Sequence, residues 1–132
     1  MNRWKDWYEQ ALRDLEAANI AMINDFHEWA CFIAQQAAEK MVKALAKRLG
    51  YDIWGHSITM ILKEIPVDTP DDITEAANLL DTFYILTRYP NGFDAGKPGD
   101  YFSKKRAEEA LEAARKIVRY CEGILFGQGE NN

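Results

Sequence analysis

The chain has 132 residues, 48% of them hydrophobic, with 21 acidic against 16 basic side chains and a net charge of -5. That is core enough for one domain and too little for two, and the acidic balance repels nucleic acid and anionic lipid unless a local basic patch exists. The opening Met-Asn-Arg-Trp-Lys-Asp lacks the apolar centre of a signal peptide, and no run of about 18 apolar residues could span a bilayer, so no membrane association and a cytoplasmic location are expected.

The spacing of apolar residues predicts helix almost throughout. Trp4, Tyr8, Ala11, Leu12, Leu15, Ala18 and Met22 fall three and four apart, which marks one buried face of a first helix over 3–23. Asp25 followed by Glu28 reads as a capping box opening a second helix that runs to about Leu49, with Gly50 as its stop. Glu28, Gln35, Gln36, Glu39, Lys40, Lys43 and Lys47 project into an arc of about 140° at 100° per residue. The remainder of that surface is largely apolar, so this helix is expected at the centre of the fold, with Glu39 and Lys43 as an exposed ion pair one turn apart.

After a loop over 50–55, His56-Ser57 begins a short helix to about Glu64 whose Ile58, Ile61, Leu62 and Ile65 face inward. Thr69-Pro70-Asp71-Asp72 predicts the next start, with Thr69 as cap, Pro70 in the first helical position and acids at the positive end of the dipole. Pro90 ends that helix near Arg88, and a loop over 91–100 with three glycines and Pro98 follows. Ser103 caps a long last helix carrying Ala107, Ala110, Leu111, Ala114, Ile117, Val118, Cys121 and Leu125 in register, and 127–132 reads as a disordered tail. No β-alternating stretch competes, so the fold class is all-α: four main helices plus one short helix. Cys31 and Cys121 occupy separate apolar positions with no zinc-ligand spacing, which predicts reduced buried thiols, and neither metal nor cofactor is expected.

Unusual chemistry concentrates in Asp81, Tyr84, Thr87, Arg88, Tyr89 and Pro90. An arginine between two tyrosines suits an anion or nucleotide. The plainer alternatives are that Arg88 complements a helix C-terminus and that Tyr84 and Tyr89 only pack. His56 either caps its helix or contacts a phosphate or acts as a base near Arg88; His27 reads as an ordinary first-turn residue. Lys104, Lys105 and Arg106 oppose the dipole of the last helix, which is explained either by Glu108 and Glu109 four residues after the lysines or by a phosphate bound there.

Ala34-Gln35-Gln36-Ala37-Ala38-Glu39-Lys40, then Lys43-Ala44-Leu45, His56-Ser57 and Thr87-Arg88-Tyr89-Pro90 occur in an order that resembles the HEPN domain family, from about Trp7 to Leu125. The resemblance implies an up-and-down helical bundle as one domain over 1–126, often homodimeric and frequently encoded beside or fused to a minimal nucleotidyltransferase. Many HEPN proteins are metal-independent ribonucleases whose signature is an arginine followed after four to six residues by histidine. Arg88 matches the arginine, but Phe93, Asp94 and Ala95 stand where that histidine would be. Losing a positioned general base costs roughly 10²–10⁴-fold. The resemblance therefore points first to a module binding a nucleotide, RNA or a nucleotidyltransferase partner, in a toxin–antitoxin pair where Tyr89 would accept an adenylyl group. The alternatives are an RNase toxin using Arg88 and His56, and a dimeric scaffold without ligand.

Overall fold

A residue in the left-handed region makes the first reversal of the chain. Asp25 has φ 66°, a conformation that aspartate tolerates better than most side chains. It lets the Phe26 N–H donate to the Ala21 carbonyl at 2.9 Å. In the computed structural model, which describes residues 2–127, this turn joins α1 (Trp4–Ile23) to α2 (His27–Arg48). The capping box expected of Asp25 and Glu28 is therefore absent: Phe26 occupies the cap position and no side chain caps the helix. Gly50, with φ 92°, ends α2 as expected.

The short helix α3 (Ile58–Lys63) opens at Ser57, whose hydroxyl accepts from the Met60 N–H at 3.2 Å. α4 (Asp71–Asp81) starts one residue later than its sequence suggested, with Pro70 rather than Thr69 in the cap position. It also stops earlier. The Thr82 hydroxyl donates to the Leu79 carbonyl at 2.6 Å and the Thr82 N–H bonds the same carbonyl three residues back, tightening the turn. The remaining turn becomes a separate α5 (Phe83–Leu86). The expected loop over 91–100 contains a 3₁₀ turn at Pro90–Gly92 and a helical turn α6 (Pro98–Tyr101) before α7 (Lys104–Leu125), which Ser103 caps as expected. Of the tail expected over 127–132, Gly127 closes the last turn with its N–H donating to the Ile124 carbonyl at 3.3 Å, and 128–132 lie outside the described residues.

The result is an all-α, up-and-down bundle of four main helices with shorter ones between them, and no strand among the described residues. α2 packs against every other helix. Its alanines, with Ala107, Ala110 and Ala114 of α7, are fully buried and allow the two backbones to come close. Phe83, Met41, Leu45, Ile58, Leu80 and Ile117 fill the space between. Cys31 and Cys121 are buried and unbridged, and burial pushes the Cys31 thiol up to about 12.

At the other end of the bundle Tyr8 donates to Glu122 at 2.5 Å inside a cluster with Trp4 and Phe126. Burial, the hydrogen bond to Glu122 and the Glu122 charge raise the Tyr8 phenol to about 12, above its ordinary 10.0. A raised pKa means that the neutral phenol stabilises the fold. Its contribution is complete below pH 10 and is lost as the pH climbs through about 12. Denaturant titrations across that range should show stability falling with pH in the wild type and a shallower fall in Tyr8→Phe.

Candidate functional site

One face of α2 carries Phe32, Gln35, Glu39 and Lys43 at helical spacing, turned toward the segment before α3 and toward α5. Gln35 is completely buried and Glu39 is 4% exposed. The Glu39 carboxylate accepts from Lys43 Nζ at 3.0 Å, from Gln35 Nε2 at 3.3 Å and from Gln36 Nε2 at 3.4 Å. It also lies 3.2 and 3.3 Å from His56 Nδ1. The expected exposed Glu39–Lys43 pair is thus the centre of a buried polar network. A buried carboxylate requires such satisfaction, because an unpaired charge in the interior is strongly unfavourable.

His56 is held at both its backbone and its ring. Its carbonyl accepts from Gln35 Nε2 at 3.0 Å. The residue after it, Ser57, donates through its hydroxyl to Asp81 at 2.9 Å, and the Ile58 and Thr59 N–H groups donate to the same carboxylate at 2.8 and 3.2 Å. Since a carboxylate only accepts, the proton of neutral His56 sits on Nδ1. Nε2 is then left as a lone pair, on a side chain that is 55% exposed.

The imidazole stacks on the Tyr84 ring, with centroids 4.5 Å apart and planes 17° from parallel. Arg88 packs against that same ring, its guanidinium carbon 4.8 Å from the Tyr84 centroid, 4.4 Å from Phe32 and 5.1 Å from Tyr89. Arg88 Nε donates to the Tyr84 carbonyl at 3.0 Å, the contact expected of an arginine finishing a helix. Among the described residues its terminal nitrogens make no ion pair or hydrogen bond. The guanidinium is therefore braced by aromatic rings while keeping donors free for an anion.

The structure thus brings His56, Tyr84, Arg88 and Tyr89 together and sorts the rest of the strip differently. Asp81 anchors α3, and the buried Thr87 hydroxyl donates to the Phe83 carbonyl at 2.6 Å. Lys104 and Lys105 are exposed and make no hydrogen bond or ring contact with the Arg88 cluster. Nor do they ion-pair with Glu108 or Glu109 among the described residues, so that explanation of the triple cation fails. Arg106 instead lies over Phe83 and Phe102, at 5.5 and 5.4 Å from their centroids. His27 opens α2, 3.7 Å from Asp25, with its buried Nδ1 unpartnered. Among the described residues no group of three or more His, Cys, Asp or Glu side chains could hold a metal, and no helix is long and apolar enough to cross a membrane.

The HEPN domain family matches residues 4–124 of this helical bundle. The chain belongs to that family. It is 45% identical to TT1696 from Thermus thermophilus, over 92% of this chain and 98% of that one, with a TM-score of 0.90. An archaeal HEPN homologue, ST0689, is 38% identical over 95% and 99% of the two chains, TM-score 0.82. A HEPN domain protein from Thermotoga maritima, tm0613, is 34% identical over 91% and 97%, TM-score 0.74. No curated protein matches the chain.

Phe93, at the first position where the resemblance would put a histidine after Arg88, is a partly buried aromatic. It stacks on Tyr101 with centroids 4.0 Å apart and meets Phe102 edge-on at 6.3 Å. The neighbouring Asp94 and Ala95 are exposed and offer no imidazole.

Proposed function

We propose that this HEPN domain binds the phosphate of a nucleotide or of single-stranded RNA between Arg88 and His56. The observation that carries the reading is the sharing of the Tyr84 ring by the guanidinium and the imidazole, both with unengaged nitrogens. Arg88 supplies a planar donor fork matched to phosphate oxygens, and protonated His56 adds a second cation that donates from Nε2. A local cationic site reconciles phosphate binding with a net charge of -5. Calorimetric titration of ATP and a short single-stranded RNA into wild type and Arg88→Ala tests it. Binding is expected in the wild type and a loss of at least about tenfold in the variant. An unchanged affinity would remove Arg88 from the site.

RNA cleavage is the second reading, and the Glu39–His56 contact favours it. Nε2 is the atom that would take the 2′-hydroxyl proton while that oxygen attacks phosphorus. Arg88 would hold the charged phosphorane, and the departing 5′-oxygen would be protonated from water. Gel analysis of the same RNA separates the readings, because cleavage lost in both His56→Ala and Arg88→Ala requires the enzyme. A nucleotidyltransferase partner and a toxin–antitoxin role belong to the same proposal, supported by Tyr89, which is half exposed beside Arg88 and could accept an adenylyl group. So does a homodimer. Ile20, Ile23, Phe26 and Trp29 form an exposed apolar strip whose Trp29 meets Phe32, the ring under Arg88, at 6.1 Å.

A further inference from the structure

Trp54 is 86% exposed, more than any other large hydrophobic side chain among the described residues. The other three tryptophans all have neighbours. Trp4 packs with Tyr8 and Phe126, Trp7 lies under Lys43 and Lys47, and Trp29 meets Phe32 edge-on. Trp54 has no ring or cation over it among the described residues. It stands two residues before His56, so their Cα atoms are at most about 7 Å apart.

The loop that carries Trp54 is fixed at both ends. The Tyr51 N–H donates to the Ala46 carbonyl at 2.8 Å, and the His56 carbonyl accepts from buried Gln35. Between indole and imidazole lies Gly55 at φ 106°, where an added Cβ would meet nothing within 4 Å. Glycine there answers to the backbone direction alone, and that direction sets how Trp54 is carried relative to His56.

We propose that Trp54 is the stacking platform for the nucleobase of the ligand whose phosphate sits at Arg88 and His56. The inference rests on the phosphate reading above and extends it from an anion site to a nucleotide site with a separate base subsite. A flat, unpartnered indole two residues from the histidine of the phosphate site suits a nucleotide: every base offers a π-face, and stacking on an aromatic side chain is tolerant of base identity. No polar side chain is needed at the indole, so selectivity among bases should be weak and the gain from having a base large.

The test compares adenosine 5′-monophosphate with ribose 5-phosphate by calorimetry on wild type, Trp54→Ala and Trp54→Phe, with Arg88→Ala as control. The wild type should prefer the nucleotide by about tenfold. Trp54→Ala should abolish that preference while leaving ribose 5-phosphate affinity unchanged, Trp54→Phe should retain most of it, and Arg88→Ala should weaken both ligands. A nucleotide preference that survives Trp54→Ala, or none in the wild type, overturns the base subsite while Arg88-dependent binding of ribose 5-phosphate keeps the phosphate reading. Equal weakening of both ligands by Trp54→Ala also overturns it, since the indole would then be shaping the phosphate site. Binding of neither ligand by the wild type sinks both proposals together.

Discussion

Replacing Glu39 by alanine should lower folding stability by about 3 kcal/mol, the lower end of the cost of stranding one partner of a buried ion pair. The carboxylate is 5% exposed and its partner Lys43 13%. Lys43 can recover part of the loss by extending its ammonium toward water along Trp7, whose centroid is already 5.8 Å away. Gln35 cannot follow, because it is fully buried, although it keeps its bond to the His56 carbonyl. Glu39→Gln should fall between wild type and alanine. It preserves volume and one accepting oxygen but replaces the other oxygen with an amide nitrogen that cannot accept from Lys43. The charge itself is not needed for folding, so Glu39→Leu combined with Lys43→Met should regain most of the loss. Urea denaturation of the four proteins checks the order. A cost below about 1 kcal/mol for Glu39→Ala would mean that the network is dispensable to the fold. The same substitution removes the contact that orients the His56 ring at Nδ1, so phosphate affinity should fall even where the protein remains folded.

That network also shows where the amino-acid sequence stops being informative. A helical wheel places Gln35, Glu39 and Lys43 in one polar arc, and a polar arc ordinarily faces water. Nothing local distinguishes it from an arc covered by the chain around His56. The apolar registers of α1, α2 and α7 were legible because burial of a helical face repeats every three or four residues, whatever covers it. Reversals set by a single side chain were not. Asp25 in the left-handed region looks like a cap residue, and the break at Thr82 depends on a hydroxyl choosing the Leu79 carbonyl over solvent. Arg88 and Tyr84 stood out as residue types, and the glycine-rich loop and Pro90 placed them at a helix end. The stacking of His56 on the Tyr84 ring that Arg88 also packs against is a tertiary event, fixed by contacts between residues far apart in the chain. Lys104 and Lys105 attracted attention by charge alone, and charge on an exposed first turn does not say what lies opposite.

Asp81→Ala should cost about 2–3 kcal/mol and disturb the site from a distance, since it removes both a hold on a helix start and hydrogen bonds to a charged group. α3 has only six residues, too few to persist on its own hydrogen bonds. Its start is held by one carboxylate that receives the Ser57 hydroxyl and the Ile58 and Thr59 N–H groups. Ile58, Ile61 and Leu62 bury its other face, so the helix should loosen at its first turn before it detaches. Ser57→Ala removes one of these bonds and the accepting hydroxyl for Met60, and should cost about 1 kcal/mol. The order Asp81→Ala above Ser57→Ala is the discriminating result, read by denaturation and by amide exchange at Ile61 and Leu62, which should accelerate more in the aspartate variant. Equal effects would assign the hold on α3 to its apolar face alone. Because His56 directly precedes Ser57, the same loosening should separate imidazole from Tyr84 and weaken phosphate binding in Asp81→Ala without touching Arg88. A variant that loses stability yet binds phosphate as well as wild type would show that the imidazole is positioned by Glu39 and Gln35 without help from α3.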